Sequence, residues 1–236
     1  MKSYPFLLLL FICPFLYGQE EEAINPDRPD QSEGVYVLPR GQFQIEDGFT
    51  FQPGVLAQNL MLRCGLFSST EIRLSSDIEK TAQGILVDNI VLSAKQRLIE
   101  AQGWIPALTL VGYLACDLQA GAELSPDLLA SFEYEIGRSD WAFDWAFDWN
   151  MGVNNRFRNG ILTAQLNGPV VGGLSAFAEY YAILSKDEAP SHNVDIGLMY
   201  TLSPNFQIDL AAGRGLKTDA DYFLTFGFAY RIHFRD

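Results

Sequence analysis

The chain has 236 residues, 48% hydrophobic and 13% aromatic, and its 16 Lys and Arg against 29 Asp and Glu give a net charge of −13. This acidic balance excludes a nucleic-acid-binding protein that works through bulk positive charge. With only three cysteines, the chain is not expected to carry a disulfide framework.

The first 18 residues have the features of a secretory signal peptide. Lys2 precedes an apolar run over residues 5–17, and the run ends at the small residue Gly18. A membrane anchor needs about 20 unbroken apolar residues, whereas this run is shorter and is interrupted by Pro14. We predict cleavage after Gly18. That cut removes one base and no acid, so the mature chain has 15 basic and 29 acidic residues, a net charge of −14.

Residues 19–40 are predicted to form an irregular N-terminal periplasmic segment. They are acidic, they contain Pro26, Pro29 and Pro39, and they show no apolar alternation. The rest of the mature chain, residues 41–236, has a different character, and we interpret it as one domain.

Apolar and polar residues alternate from Gly41 onward, which is typical of β-strands. In residues 42–51 only Asp47 breaks the alternation. No stretch after residue 18 has 18 continuous apolar residues, so membrane-spanning helices are not expected. The predicted strands are residues 42–51, 55–67, 71–79, 85–98, 104–116, 127–137, 141–149, 161–166, 174–184, 192–201, 207–213 and 222–234.

Turn sequences separate these strands. FSST, GRSD, NGPVVGG and LSPNF connect alternate strand pairs and are assigned to one rim, the periplasmic one. On the opposite rim, SKDEAPS and GLKTDAD are short and acidic.

The sequence WAFDWAFDW, residues 141–149, indicates what surrounds the strands. A helix would scatter its aromatic and acidic residues around the circumference, whereas a strand places five aromatics on one face and Asp144 and Asp148 on the other. The pattern fits a half-buried strand of a soluble sandwich, or a barrel strand with lipid outside and water inside.

The other strands favour the barrel. The polar faces of a sandwich would be rich in Lys, Glu and Thr, whereas here they hold Gly, Ala, Asn and charges of both signs. The last strand also presents an aromatic ladder that includes Phe226, Phe228 and Tyr230. We therefore predict an all-β fold, a transmembrane antiparallel up-and-down β-barrel of about 12 strands, with a range of about 10 to 14.

One stretch resembles a known family. PDRPDQSEGVYVLPRGQFQIEDGF, residues 26–49, contains RPDQ, then a proline, a basic residue, Gly and QxE. This pattern is similar to the start of outer-membrane barrels of the phenol meta-cleavage pathway family, which are regarded as transporters. The likeness continues in residues 59–74 and 191–215, and residues 115–159 depart from it. The resemblance implies an outer-membrane location and passage of small solutes.

Charged residues on the inward face predict two arcs in the lumen. One is basic and the other acidic, and together they would produce a field across a water-filled lumen. Alternatively, the charges pair with one another and fill a barrel too narrow to conduct. The basic arc comprises Arg63, Arg73, Lys95, Arg97, Arg231 and Arg235; the acidic arc comprises Glu133, Glu135, Asp144, Asp148, Glu179, Asp195 and Asp209.

The N-terminal segment could fold back into this lumen as a plug. Asp27, Arg28 and Asp30 would then pair with lumenal charges. The sequence does not distinguish a plugged barrel from an open one.

Three function classes follow from the pattern. A channel or transporter for a small solute of unknown identity is favoured, and a non-conducting structural or surface-binding barrel is the alternative. A lipid hydrolase is least favoured, because Ser191, His192 and Asn193 are consecutive and side chains of adjacent strand residues point in opposite directions. We expect no catalytic residues, no metal and no cofactor, outer-membrane lipid as the surroundings, and an undetermined oligomeric state.

Overall fold

The computed structural model describes residues 22–119, 122–136, 145–154, 159–216 and 222–234. The predicted signal peptide lies outside these residues. Within them the strands are β1 (Gln42–Gln52), β2 (Val55–Phe67), β3 (Thr70–Thr81), β4 (Gly84–Ile99), β5 (Ala107–Asp117), β6 (Glu123–Ile136), β7 (Trp145–Asn154), β8 (Asn159–Val171), β9 (Leu174–Ser185), β10 (Ser191–Ser203), β11 (Phe206–Gly215) and β12 (Tyr222–His233).

These strands form one closed barrel. Each strand pairs antiparallel with its neighbours in the chain, and β1 pairs with β12 to complete the ring. The prediction of an all-β up-and-down barrel with 12 strands is confirmed. Among the described residues, no helix is long and apolar enough to cross a membrane.

The ring places both ends of the barrel at the same rim. We call the rim where β1 begins and β12 ends the terminal rim. The β2–β3, β4–β5, β8–β9 and β10–β11 connections lie there, since strand direction alternates around the ring. The turns between β1 and β2 and between β3 and β4 lie at the opposite rim.

Several predicted strand limits were wrong. NGPVVGG was assigned to a turn, but β8 continues through Val171 and leaves only a two-residue turn before β9. The β8–β9 register shifts between Pro169 and Val171. Proline has no backbone N–H to donate to a neighbouring strand, and an irregularity of this kind tolerates that loss. Strand five begins at Ala107, because Trp104 lies in a tight turn closed by a bridge between Gln102 and Ile105.

Strands six and seven also differ from the prediction. β6 begins at Glu123, four residues before the predicted start, and β7 extends to Asn154. The first half of WAFDWAFDW, residues 141–144, lies outside the described residues.

The barrel buries its polar residues and exposes its apolar ones. In β7, Asp148 and Asn150 face inward and are buried, whereas Phe147 and Met151 face outward and are exposed. Trp149 faces outward and stacks on Phe132 of β6, with ring centroids 3.8 Å apart. An apolar exterior around a polar interior is the arrangement that a lipid bilayer requires of a closed barrel.

Candidate functional site

The described part of the N-terminal segment, residues 22–40, runs into the barrel interior and returns to the terminal rim. Near its start, the Ile24 amide donates a hydrogen bond to a backbone carbonyl of the β10–β11 connection, at 2.8 Å. Further along, the Ser32 hydroxyl bonds Thr163 of β8 at 2.7 Å, and both residues are buried. On the return path, the Thr109 hydroxyl of β5 donates to the Val35 carbonyl at 3.0 Å. The segment therefore forms a loop within the lumen.

Three buried basic side chains on β2, β3 and β4 bind two carboxylates of this segment. The Asp27 carboxylate lies 3.1 Å from Arg63, 3.0 Å from Arg73 and 2.9 Å from Lys95. Both terminal nitrogens of Arg73 donate to Glu33, and the Lys95 ammonium lies 3.0 Å from the same carboxylate. Part of the predicted basic arc is thus ion-paired with the segment.

The wall itself adds carboxylates to this cluster. Arg63 lies 2.8 Å from Glu46 of β1 and 3.0 Å from Glu71 of β3. The Tyr113 hydroxyl of β5 donates to Glu33 at 2.6 Å. The lumen residues predicted from the sequence include none of Glu33, Glu46, Glu71 and Tyr113. The alternation within strand five was the signal for Tyr113, and the acidic run of the segment was the signal for Glu33.

On the opposite side of the lumen, acidic residues of the wall bind the segment. The Arg28 guanidinium donates two hydrogen bonds of 2.9 Å to the Asp209 carboxylate of β11. Glu179 of β9 accepts a hydrogen bond from the Gln31 amide at 2.8 Å and another from the Ser32 hydroxyl at 2.5 Å. The segment thus lies between the two predicted arcs, with Asp27 and Glu33 toward the basic one and Arg28 toward the acidic one.

Other members of the acidic arc lie on the same wall. Asp195 is buried and lies opposite Glu179 in the β9–β10 register. Asp148 accepts a hydrogen bond from the Asn167 side chain. Glu133 pairs in register with Asp148, and Glu135 is exposed near the end of β6.

The remaining predicted residues lie near the terminal rim or outside the described part. Arg97 pairs with Glu100 at 2.8 Å, away from the segment. Arg231 donates to the Asn205 side chain at 2.9 Å and to the Glu22 carbonyl at the start of the segment. Arg235 and Asp144 lie outside the described residues.

Glycines in the wall make room for the segment. A Cβ on Gly65 of β2 would lie 1.9 Å from the Pro39 carbonyl oxygen, so the two backbones pack too closely for any side chain. A Cβ on Gly48 of β1 would lie 1.9 Å from the Arg28 guanidinium. The wall is therefore shaped to accept the segment at both places.

The segment divides the lumen into smaller spaces. A cavity of about 340 Å³ reaches toward the opposite rim, and its lining includes Asp27, Glu33, Gln52 and Tyr181. A cavity of about 110 Å³ lies toward the terminal rim and is lined by the segment together with side chains that include Asp148. A third space, of about 430 Å³, is bordered mainly by apolar residues of β4 to β9.

Two carboxyl groups of the segment have opposite electrostatic surroundings. Burial would raise the pKa of Glu33, but the charges of Arg73 and Lys95 outweigh burial and hold that pKa well below the ordinary value of 4.5. Burial, and next to it the charge of Glu179, raises the pKa of Asp30 well above its ordinary value of 3.8. Glu33 is thus anchored as an anion, whereas an ionised Asp30 is disfavoured.

The residues considered for catalysis are not assembled into a triad. The Tyr180 hydroxyl hydrogen-bonds the His192 Nδ1 atom at 2.6 Å, and both side chains are exposed on the outer face. The Asn193 side chain donates instead to the Ser191 hydroxyl at 3.3 Å. In the described parts of the chain, no group of three or more His, Cys, Asp or Glu side chains is arranged to hold a metal ion.

Solved structures with the same fold are outer-membrane proteins. The COG4313 outer membrane channel from Pseudomonas putida F1 has a TM-score of 0.58 and 14% identity, covering 87% of this chain and 99% of that one. The KdgM porin has a TM-score of 0.60 and 10% identity, covering 80% of this chain and 99% of its own. The Acinetobacter baumannii outer membrane protein Omp33 has a TM-score of 0.53 and 8% identity, covering 85% and 100%.

The fold and the apolar exterior place this barrel in the bacterial outer membrane. No curated protein matches the chain. The family model described as "MetA-pathway of phenol degradation" matches residues 26–232, which include most of the N-terminal segment and nearly all of the barrel. The chain belongs to this family.

Proposed function

We propose that the protein is an outer-membrane channel for small solutes, and that the N-terminal segment opens and closes its lumen. The observation that carries the proposal is the pair of cavities, about 340 Å³ and about 110 Å³, that the segment separates inside one polar lumen. The larger cavity falls within the range of about 300 to 1,000 Å³ that is usual for small-molecule sites. We assign the terminal rim to the periplasm and give the protein no catalytic role.

Movement of the segment is supported by the way it is attached. Residues 22–33 are held by ion pairs and hydrogen bonds to the wall, such as Arg28 to Asp209. The return path is more apolar, because Val35, Val37 and Leu38 are buried. We infer that residues 22–33 leave the lumen while the return path stays attached. Polar contacts can be replaced by contacts with water, whereas exposing apolar side chains to water is unfavourable.

The comparisons with known proteins bear on the chemical class of the solute. The family description names phenol degradation. One KdgM porin structure is described as a complex with disordered oligogalacturonate. These descriptions concern other proteins, and for this chain they support a small organic solute.

A reversible cross-link tests the gating role. Ser32 and Thr163 have hydroxyl oxygens 2.7 Å apart, so the S32C/T163C variant can form a disulfide between the segment and β8. The natural cysteines of the mature chain, Cys64 and Cys116, would be changed to Ala. We expect the oxidised protein to conduct poorly in planar bilayers and to regain conductance when dithiothreitol is added.

The controls are the S32C and T163C single variants in the same C64A/C116A protein, which should not respond to oxidation. Conductance that is equal in the oxidised and reduced states would exclude movement of the segment as the gate. A folded protein that never conducts, reduced or oxidised, would instead favour the non-conducting structural barrel.

A further inference from the structure

The contacts of Asp27 and Glu33 suggest what the lumen binds when the segment is out. We propose that Arg73, Lys95 and Tyr113 form a binding site for a small solute with two carboxylate groups, and that Asp27 and Glu33 occupy this site in the closed state. The inference rests on the proposed function, since a solute reaches the site only if the segment moves.

The site contains donors for two carboxylates side by side. Arg73 contacts both carboxylates, and its two terminal nitrogens match the two oxygens of Glu33. Lys95 lies between the carboxylates, 2.9 Å from Asp27 and 3.0 Å from Glu33. Tyr113 adds a neutral donor at 2.6 Å from Glu33. A ligand with two nearby carboxylates could accept all of these hydrogen bonds.

Without the segment, this part of the wall also has one more cation than carboxylates, which favours an anionic ligand. Arg63 keeps two wall carboxylates, Glu46 and Glu71, when the segment is absent. Lys95 is fully buried, and within the described part of the chain its ion pairs are to the segment alone. Arg73 retains a hydrogen bond to Ser93 and a distant carboxylate, Glu71, at 3.8 Å. Removing the segment therefore takes away the carboxylates nearest to Lys95 and Arg73, and a ligand with two carboxylates would restore these ion pairs.

The two carboxylates that occupy the site border a cavity, and the site opens to this cavity when residues 22–33 leave the lumen. Asp27 and Glu33 both line the 340 Å³ space that extends toward the rim opposite the termini. A solute entering from that side would meet these two carboxylates first. The solute would compete with the carboxylates of Asp27 and Glu33. Because these belong to the same chain as the site, their effective concentration there is on the order of millimolar. The segment thus sets the concentration at which the solute binds.

Calorimetric titration with succinate tests the site in the full mature protein, folded in detergent micelles. D27N/E33Q removes the charges of the occupant and should bind succinate roughly tenfold or more tightly than the unaltered protein. D27N/E33Q/K95Q should lose this gain. The matched control is D187N/E188Q, which removes two acidic charges from the exposed β9–β10 connection and should bind as the unaltered protein does.

Acetate and inorganic phosphate, titrated into the same variants, test the requirement for two carboxylates. Both should bind D27N/E33Q at least tenfold more weakly than succinate. The proposal is overturned if folded D27N/E33Q does not bind succinate, if K95Q has no effect, or if acetate binds equally well.

A second measurement does not depend on the folding of D27N/E33Q. The S32C/C64A/C116A protein, termed the reporter, carries one thiol in the segment, and reaction with a maleimide reports exposure of residue 32. Succinate should accelerate labelling severalfold, and uncharged succinamide should not; equal effects of the two would overturn the proposal. Binding in micelles requires no conductance. A barrel that binds succinate but never conducts therefore contradicts only the proposed channel, and one that conducts without binding succinate contradicts only this site.

Discussion

Lys95 is the residue whose surroundings depend most on the segment. It is a wall residue with no exposed surface, and its ion-pair partners in the described structure, Asp27 and Glu33, belong to the segment. A buried ammonium group without a partner is strongly unfavourable. When residues 22–33 leave the lumen, we therefore expect water or an anionic solute to take the place of these two carboxylates beside Lys95.

Asp30 is a residue of the segment that opposes docking. Its carboxyl group faces Gln165 and the carboxyl group of Glu179, and burial raises the pKa of Asp30 well above 3.8. The docked state therefore binds the proton more tightly than the free state does. Docking weakens as the pH rises from about 3.8 toward the raised pKa, and the loss persists at higher pH.

We therefore predict that D30N strengthens docking at neutral and alkaline pH. Asparagine still accepts a hydrogen bond from Gln165 and does not ionise. In the reporter, D30N should slow maleimide labelling severalfold at pH 8, and the difference from the parent should shrink as the pH approaches 4. A D30N protein that is labelled faster than its parent at pH 8 would contradict this electrostatic reading.

Gly65 tests the close approach of the segment to β2. In G65A the new methyl group would collide with the Pro39 carbonyl oxygen, and the return path must shift away from the wall. Overpacking of this kind usually costs about 1 to 3 kcal/mol. Because the return path continues directly into residues 22–33, its shift should also weaken their contacts with the wall, and we expect G65A to increase labelling of the reporter. G112A on β5 is the control, since a Cβ there would meet nothing within 4 Å; equal labelling of both variants would exclude the proposed close contact.

The charged residues of the lumen could be predicted from the sequence, but their partners could not. Alternation within a strand identifies Arg63, Arg73 and Lys95 as inward, because side chains on opposite faces have a period of two. It cannot identify their partners, because Asp27 and Glu33 lie in a segment without periodicity. Their contacts depend on where a loop of about twenty residues folds, and the sequence carries no local signal for that path.

The strands were predictable, because each repeats one rule over about ten residues. The predicted strand ends were wrong where a local sequence resembled a different structure. The prolines and glycines of NGPVVGG resembled a turn, yet most of that sequence lies in β8, where a bulge tolerates Pro169. Strand five was placed too early because aromatic Trp104 resembled a strand residue.

Asp47, the one exception to alternation in β1, has a partner on the outer face. Gln58 of β2 donates to its carboxylate at 3.0 Å. Lipid offers no hydrogen bonds, so each of these groups satisfies the other. Replacing only one of the two side chains should lower the stability of the barrel more than replacing both. The remaining polar group would lose its hydrogen bond in an apolar environment and would gain no apolar contact.

The two residues can therefore be tested as a pair in β1 and β2. We predict that Q58L destabilises the barrel by about 1 to 3 kcal/mol, and that D47L/Q58L restores or exceeds the original stability. Urea unfolding of the barrel in phospholipid vesicles measures the free energies. Additive effects of Q58L and D47L would mean that the two side chains do not interact in the membrane.

At the scale of the whole molecule, the wall and the segment are held by different interactions. The wall is a complete ring of antiparallel strand pairs, in which every strand has two neighbours. The segment contributes no strand to that ring and is held mainly by side-chain contacts. The wall should thus remain folded when the segment leaves it, and this difference makes a gate possible.

This separation predicts two transitions in urea. The four tryptophans, Trp104, Trp141, Trp145 and Trp149, lie outside the segment, so their fluorescence follows the wall, whereas labelling of the reporter follows the segment. We expect labelling to rise at a lower urea concentration than the one at which tryptophan fluorescence changes. Local opening usually has a smaller free energy than global unfolding and exposes less surface. G65A should move the labelling transition to lower urea and leave the fluorescence transition in place. If the two transitions coincide and G65A shifts them together, the segment is an integral part of the folded barrel, and a gate that moves within an intact wall is excluded.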